Sequence, residues 1–457
     1  MTPGEDHRSF WETFVRWLLS LLGASPKDEA PKPLKKRWTF MVYIAGDNNL
    51  DEAGRKDLTE MQAVGSTAEV NIIAQFDGLG DAGSRRYRIR QGGTLDSDVV
   101  ERLPEVNTGD PQAMDDFLRW AYEEFPAERY ALILWNHGSG WKDEDIYRGL
   151  TVRGLRPQNL TRGQKRSLAS GNPSRAFFRS SIEQVAVDAA VEGRAILFDD
   201  TSADFLDNVE MKAILDQAAA RFGQKIDLLG CDACLMNMLE VAYQLKSSCR
   251  YLVASQEEEP GDGWPYDAIL ARLVANPDMT ADLLASIIVQ EYNRFYRERY
   301  PNLPVTQSAL DLAKIDPLAE AVDGVADALR ATLEADWRQG NAIISLALYD
   351  VQKFTDRDYV DLVHFCQLLA EQNSGTAIAA AATRLVNLVK RAGDSSPLIA
   401  EGHGGPGMRH ASGVSIYLPD RTLSSLYARL EFAKDHRWGE LLQTKLAPRS
   451  RSNATRS

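Results

Sequence analysis

Two cysteines with a Cys-x-x-Cys spacing lie in residues 227–240, which read DLLGCDACLMNMLE. This spacing fits a redox dithiol, half of a zinc site, or one nucleophilic thiol beside one core thiol. A thioredoxin-like dithiol lies at a helix N-terminus in a small domain, whereas Cys231 ends an apolar strand in the middle of a long chain. A zinc site needs four ligands, and the sequence offers no second pair with metal-ligand spacing.

The single-nucleophile hypothesis rests on Cys234 and His137. We predict that Cys234 follows a strand and begins a helix, whose dipole would favour a thiolate. His137, in NHGSGW, is predicted at the end of another strand of the same sheet. A Cys-His pair needs this arrangement, and an N–H near Gly138 would be available to an oxyanion.

The elements that must position these residues alternate between strands and helices. Apolar runs predict strands in WTFMVYIAGD, VNIIAQFDG, YALILWNHGSGW, KIDLLGCDAC and YLVASQ, and RRYRIR fits an edge strand or hairpin arm. The fold class is therefore α/β, with a mostly parallel sheet and helices on both faces. Ligands of such sheets bind at the carboxyl ends of the strands, where NHGSGW and CDAC both lie.

Composition excludes several classes of protein. The chain has 457 residues and a net charge of −13, so bulk attraction to nucleic acid is not expected, although one site could still prefer cations. Four cysteines do not make a disulfide framework and suit a reducing compartment. No apolar run is long enough to span a membrane.

The sequence suggests four regions. Residues 1–37 read as an amphipathic helix, able to contact a partner or a membrane surface through residues 10–22, followed by a linker rich in Pro and Lys. Residues 38–300 form the α/β domain, 301–445 a smaller α/β or helical C-terminal domain, and 446–457 a flexible tail. Residues 146–182 contain no acidic residue and read as an exposed basic insert, a kind of loop that proteases cut.

The remaining histidines are weaker candidates for a base. His403, in the glycine-rich EGHGGPGMRH, is an alternative base. His364 and His436 are expected to be structural.

Several segments together resemble the clostripain family of cysteine peptidases, which belongs to the caspase–gingipain–legumain clan. They are WTFMVYIAGDNNL, NTGDP, ALILWNHGSGW, FDDTSADFL, CDACLMNMLEVAYQL, ASQEEEPGDGWPY and GVSIYLP. The resemblance implies a caspase-like fold, His137 as general base and Cys234 as nucleophile, with backbone N–H groups near Gly138 and Cys234 as the oxyanion hole. It also implies that Asp232 shapes the primary specificity pocket, with Asp262 as a second pocket acid.

A carboxylate at the pocket floor would select protein or peptide substrates with Arg, or Lys, before the scissile bond. No cofactor is required by this chemistry, and calcium is suggested by the resemblance alone. The resemblance further implies a zymogen, cut by itself or by an upstream protease. The candidate cleavage sites are the arginines of the basic insert: Arg148, Arg153, Arg156, Arg162, Arg166, Arg175 and Arg179.

The segment before residue 38 does not read as a convincing signal peptide, so we expect a cytoplasmic protein, with secretion as the alternative. An intracellular proteolytic cascade is one setting for such a zymogen. Two other classes stay open: a catalytically inactive caspase-like scaffold, and a dithiol oxidoreductase that uses Cys231 and Cys234.

Overall fold

A computed structural model describes residues 35–48, 50–79, 83–136, 196–199, 204–206, 208–390, 395–424 and 427–447. The predicted amphipathic helix, His137, Gly138, the basic insert and residues 448–457 lie outside these ranges.

Thirteen strands are described. They are β1 (Lys36–Gly46), β2 (Val70–Gly78), β3 (Arg85–Arg88), β4 (Val99–Arg102), β5 (Ala127–Trp135), β6 (Ile196–Asp199), β7 (Asp204–Leu206), β8 (Ile226–Asp232), β9 (Cys249–Ala254), β10 (Val305–Asp311), β11 (Tyr359–Asp361), β12 (Leu398–Gly404) and β13 (Ser415–Tyr417).

Nine of these strands form one sheet in the order β12-β10-β9-β8-β5-β1-β2-β3-β4. The five central strands, from β9 to β2, run parallel to one another, and the two strands at each end pair antiparallel. RRYRIR is the β3 arm of a hairpin with β4, which lies at the edge. The predicted α/β fold class is therefore confirmed.

Twelve α-helices are described. They are α1 (Asp51–Val64), α2 (Pro111–Glu124), α3 (Asn208–Phe222), α4 (Leu239–Leu245), α5 (Tyr266–Ala275), α6 (Ala281–Arg299), α7 (Ile315–Ala335), α8 (Trp337–Asp350), α9 (Leu362–Gln372), α10 (Ala377–Lys390), α11 (Glu431–Asp435) and α12 (Trp438–Leu446).

Two hydrophobic cores cover the two faces of the sheet. Side chains of β1 alternate between them: Tyr43 packs with α2, α3 and α4, whereas Val42 and Ile44 pack with α1, α5 and α6. Because both faces are covered, every residue of β2 is buried, including its polar residues Asn71, Gln75 and Asp77. None of the described helices is long and apolar enough to cross a membrane.

The C-terminal third of the chain completes the main sheet. β10 and β12 extend the sheet beyond β9, and residues from Lys36 onward form one compact unit. The prediction of a separate domain at 301–445 is therefore wrong. The pattern weakened there because β10 and β12 pair antiparallel and several helices separate them in the chain.

Candidate active site

The candidate site lies at the edge of the sheet where the carboxyl ends of two parallel strands, β5 and β8, meet. Trp135 at the end of β5 is opposite Asp232 at the end of β8, and the Asn136 N–H donates to the Asp232 carbonyl at 3.3 Å. The two carboxyl ends therefore meet, as the sequence predicted. His137 and Gly138 follow Asn136 but lie outside the described residues.

Cys234 lies in a loop after β8, not at the start of a helix. Helix α4 begins only at Leu239, because the chain between Cys234 and Leu239 is held in a non-helical conformation. Leu235 adopts a left-handed φ of 61°, and the Asn237 N–H donates to the Ser255 carbonyl at 2.9 Å. The prediction that a helix dipole favours a Cys234 thiolate is therefore wrong.

Cys234 is 8% exposed, and Glu259, in the loop after β9, lies against its sulfur. The Glu259 N–H donates to Cys234 Sγ at 3.3 Å. Burial, followed by the nearby Glu258 charge, raises the pKa of Cys234 above that of an ordinary thiol. Among the described residues, no backbone acceptor bonds the Cys234 N–H. An oxyanion could therefore use this donor.

The Asp232 carboxylate, two residues before Cys234, is fixed by hydrogen bonds. It is 5% exposed, and its Oδ2 accepts from the Trp264 N–H at 3.2 Å and from the Tyr266 hydroxyl at 2.9 Å. Burial raises the pKa of Asp232, while these bonds favour the ionised form.

Glu259 is an acidic neighbour of Asp232. Burial, followed by the Asp232 charge, raises the pKa of Glu259 well above its usual value. Both effects favour the protonated form of Glu259. Its carboxyl oxygens accept from Trp264 Nε1 at 3.1 Å and from Gln307 Nε2 at 3.2 Å.

Asp57, on α1, approaches the same place from another element. It is 1% exposed, and Trp135 Nε1 donates to its Oδ2 at 2.7 Å. A Cβ built on Gly263 would lie 3.2 Å from Oδ2 of Asp57 and 3.2 Å from Oδ2 of Asp232. Burial, the Asp232 charge and the Glu60 charge raise the pKa of Asp57 well above its usual value.

Asp262 lies next to Gly263 in sequence, but its side chain pairs with a cation of the protein itself. Its Oδ1 is 3.4 Å from Lys56 Nζ, which also pairs with Glu60 at 3.0 Å. The Asp262 side chain is 32% exposed. Asp262 therefore belongs to the rim of the loop, whereas Asp232 lies in its interior.

The other thiols and imidazoles have structural surroundings. Cys231, Cys249 and Cys366 are buried free thiols, and burial raises the pKa of each. His403 lies on β12 rather than in a loop, 3.4 Å from Glu401. The Gln352 N–H donates to Nδ1 of His364, and Nδ1 of His436 is 2.9 Å from Asp323.

One group of carboxylates in the described residues could hold a hard cation. Oxygen atoms of Asp47, Asp77 and Glu105 lie within 4.8 Å of one another, and Ser84 Oγ donates to Asp77 at 2.7 Å. Oxygen ligands suit Ca²⁺, which takes six to eight of them, so backbone or water oxygens would have to supply the rest. The cysteines do not take part in this group.

Comparison with known proteins decides the family. The model of the clostripain family matches residues 42–155 and 183–444. The chain belongs to the clostripain family of cysteine peptidases. It is 24% identical to clostripain of Hathewaya histolytica over 463 aligned positions, which cover 87% of this chain and 77% of that protein.

Solved structures of the family share the fold. A secreted C11 cysteine protease of Bacteroides thetaiotaomicron, solved with an irreversible peptide inhibitor, superposes with a TM-score of 0.60 at 20% identity and covers 88% of this chain and 99% of that chain. An inactive zymogen C11 protease of Parabacteroides distasonis gives a TM-score of 0.59 at 18% identity, with 88% of this chain and 99% of that chain covered.

Sequence reasoning missed Asp57, Glu259 and Asn237. Asp57 falls on the buried stripe of α1 with Gly54, Leu58 and Met61, so helical periodicity would have placed it facing the core. Glu259 is the third acid of a Glu-Glu-Glu run, and nothing in such a run shows which of its members faces Cys234 and Asp232.

Proposed function

We propose that this family member is a cysteine endopeptidase that cleaves after Arg, or Lys. The observation that carries the proposal is the Asp232 carboxylate, buried two residues before Cys234 and held by Trp264 and Tyr266. A buried, oriented carboxylate pairs a guanidinium through two parallel hydrogen bonds and pairs an ammonium as a point charge.

The reaction is acyl transfer. His137 takes the Cys234 thiol proton, and the sulfur attacks the peptide carbonyl to form a tetrahedral oxyanion, which the Cys234 and Gly138 N–H groups stabilise. His137 then gives its proton to the leaving amine as the C–N bond breaks. Water, deprotonated by His137, attacks the thioester, and the departing sulfur regains a proton from His137. The adjacent ends of β5 and β8 support this pairing.

The zymogen proposal rests on two observations. Cys234 is buried against the loop after β9, and its thiol pKa is raised. Both features are expected of a nucleophile in an inactive enzyme, because they lower the accessibility of the sulfur and its thiolate fraction. A relative of the same fold was solved as an inactive zymogen. We propose cleavage after an arginine between positions 148 and 179, by the protein itself or by an upstream protease, and activity in the cytoplasm.

Hydrolysis by Cys234 and His137 needs no cofactor. A calcium ion, which the family resemblance suggests, would be held by Asp47, Asp77 and Glu105 and would add fixed positive charge there.

The test is hydrolysis of fluorogenic peptides that end in Arg, Lys or Ala. It compares the intact protein, the protein nicked in the basic insert by a limiting amount of another protease, and the nicked Cys234→Ala variant. We expect hydrolysis after Arg or Lys only from the nicked wild type.

Full activity of the intact protein would contradict the zymogen proposal alone. Equal hydrolysis after Ala would contradict the cationic specificity. No hydrolysis by any form, with or without calcium, would favour an inactive scaffold.

A further inference from the structure

We propose that Asp57 is a second acid of the primary specificity pocket, and that a substrate arginine pairs with Asp57 and Asp232 together. This inference rests on the proposed function, because it takes Asp232 as the acid of that pocket.

The first observation is convergence. Asp57 comes from the second turn of α1 and Asp232 from the end of β8, yet an Oδ2 atom of each lies 3.2 Å from one point, where a Cβ on Gly263 would stand. Gly263 has a φ of +62°, which favours glycine, and a side chain at this position would crowd both carboxylates, at 3.2 Å from each.

The second observation is an unused acceptor. Oδ2 of Asp57 accepts from Trp135 Nε1 at 2.7 Å, but Oδ1 is buried and has no hydrogen-bond partner among the described residues. Buried polar atoms are rarely left without a partner, and each exception calls for an explanation. A donor supplied by the substrate would complete the bonding of this carboxylate.

The third observation is charge. Asp57 and Asp232 are both buried, and the nearby Lys56 ammonium pairs with Glu60 and Asp262 instead. Burial raises the pKa values of Asp57 and Asp232, and the Asp232 charge raises the pKa of Asp57 further by repulsion. A bound cation would relieve that repulsion. A guanidinium has five donors in a rigid fork and can bond two carboxylates at once, so this pocket should favour Arg over Lys.

The competing explanation is that Asp57 only positions Trp135, which precedes Asn136 and His137 in sequence. Asp57→Asn separates the two explanations, because asparagine keeps an oxygen acceptor for Trp135 Nε1, whereas it removes the charge and replaces the second acceptor oxygen with an N–H donor.

The experiment measures kcat/KM of the nicked protein for two peptides that differ only in Arg or citrulline before the scissile bond. Citrulline has nearly the shape of arginine without its charge. For Asp57→Asn we expect kcat/KM for the Arg peptide to fall roughly a hundredfold, with the citrulline peptide changed less than threefold. The matched control is Glu52→Gln, an exposed acid on the same helix, which should keep the wild-type ratio.

A second measurement does not depend on turnover. Agmatine is a mimic of the arginine side chain. It should slow the alkylation of Cys234 by iodoacetamide in the wild type and in Glu52→Gln. In Asp57→Asn, at least tenfold more agmatine should be needed for the same slowing. Thermal melting of each variant verifies that it is folded.

Unchanged kcat/KM for both peptides in Asp57→Asn would overturn this inference and leave the proposed function standing. Equal loss for both peptides would overturn it in favour of a positioning role. A wild type without any preference for Arg over citrulline would overturn both proposals.

Discussion

Cys234 is a buried thiol whose surroundings restrict its reactivity. The thiol accepts a hydrogen bond from Glu259 N–H, and the next residue, Leu235, holds a left-handed conformation that costs a non-glycine residue roughly 1–2 kcal/mol. Strain of this kind persists only where the surrounding contacts determine it. Here they include the Leu235 N–H, which donates to the Glu257 carbonyl at 3.3 Å.

The first prediction concerns the protonation of this thiol in the uncleaved protein. Because the pKa of Cys234 is raised, its thiolate fraction should keep increasing about tenfold per pH unit beyond pH 8.5, where an ordinary cysteine begins to level off. Alkylation by iodoacetamide, followed by mass spectrometry against a cysteine peptide control, measures this. A plateau below pH 7.5 would reveal a thiolate already paired with a cation.

The second prediction ranks the two pocket acids proposed from the sequence. Asp232→Asn should lower kcat/KM for an Arg peptide by roughly a hundredfold or more, because a buried cation would lose its counter-charge. Asp262→Asn should lower it less than about tenfold, since Asp262 is partly exposed and already paired with Lys56. The reverse order would move the pocket floor from Asp232 to Asp262.

At the scale of elements, the side-chain amide of Asn237 connects the loop after β8 to neighbouring strands. Asn237 Nδ2 donates to the carbonyls of Ala254 and Ser308, each at 3.1 Å. The backbone carbonyl of Asn237 accepts from the Ser415 N–H at 3.0 Å. Asn237 therefore joins β9, β10 and β13 to the segment that carries Cys234.

The third prediction follows from these bonds. Asn237→Ala should lower the free energy of unfolding by about 2–4 kcal/mol, because it leaves buried carbonyls unpaired and removes packed atoms. Urea unfolding measures this, with the exposed Asn276→Ala as the control expected to cost less than about 0.5 kcal/mol. Equal stability of the two variants would contradict the role given to Asn237.

These elements also show which parts of the fold and of the candidate site could be predicted from the sequence. The central strands and the meeting of β5 with β8 follow from apolar runs that alternate with helices, so Asp232 and Cys234 could be placed at one sheet edge. The helix after Cys234 began later than predicted because contacts distant in sequence, from Ser255 and Ser415, hold the intervening chain. Asp57 lies far from Asp232 in sequence, and only the packed structure reveals that the two converge.

At the scale of the whole molecule, one sheet carries the site and the C-terminal third together. Thr306 on β10 accepts from the N–H groups of Gln256 and Glu257 at 2.9 and 3.0 Å, and these residues begin the loop that lies against Cys234. The C-terminal strands therefore support the site directly.

The fourth prediction is that a chain ending at residue 300 does not fold. It would lose β10 and β12, expose the edge of β9 and open both hydrophobic cores. Circular dichroism should show no cooperative melting for this chain, in contrast to the full chain. Cooperative melting of the shortened chain would restore the prediction of two separate domains.

The measurement that tests the central claim most directly is covalent capture of the nucleophile. The nicked protein is treated with a peptidyl-arginine chloromethyl ketone, and the modified residue is identified by mass spectrometry in the wild type, Cys231→Ser and Cys234→Ser. We predict stoichiometric modification of Cys234, unchanged in Cys231→Ser and absent in Cys234→Ser. Modification of Cys231, or labelling no faster than that of a free cysteine peptide, would contradict the assignment of Cys234 as the nucleophile.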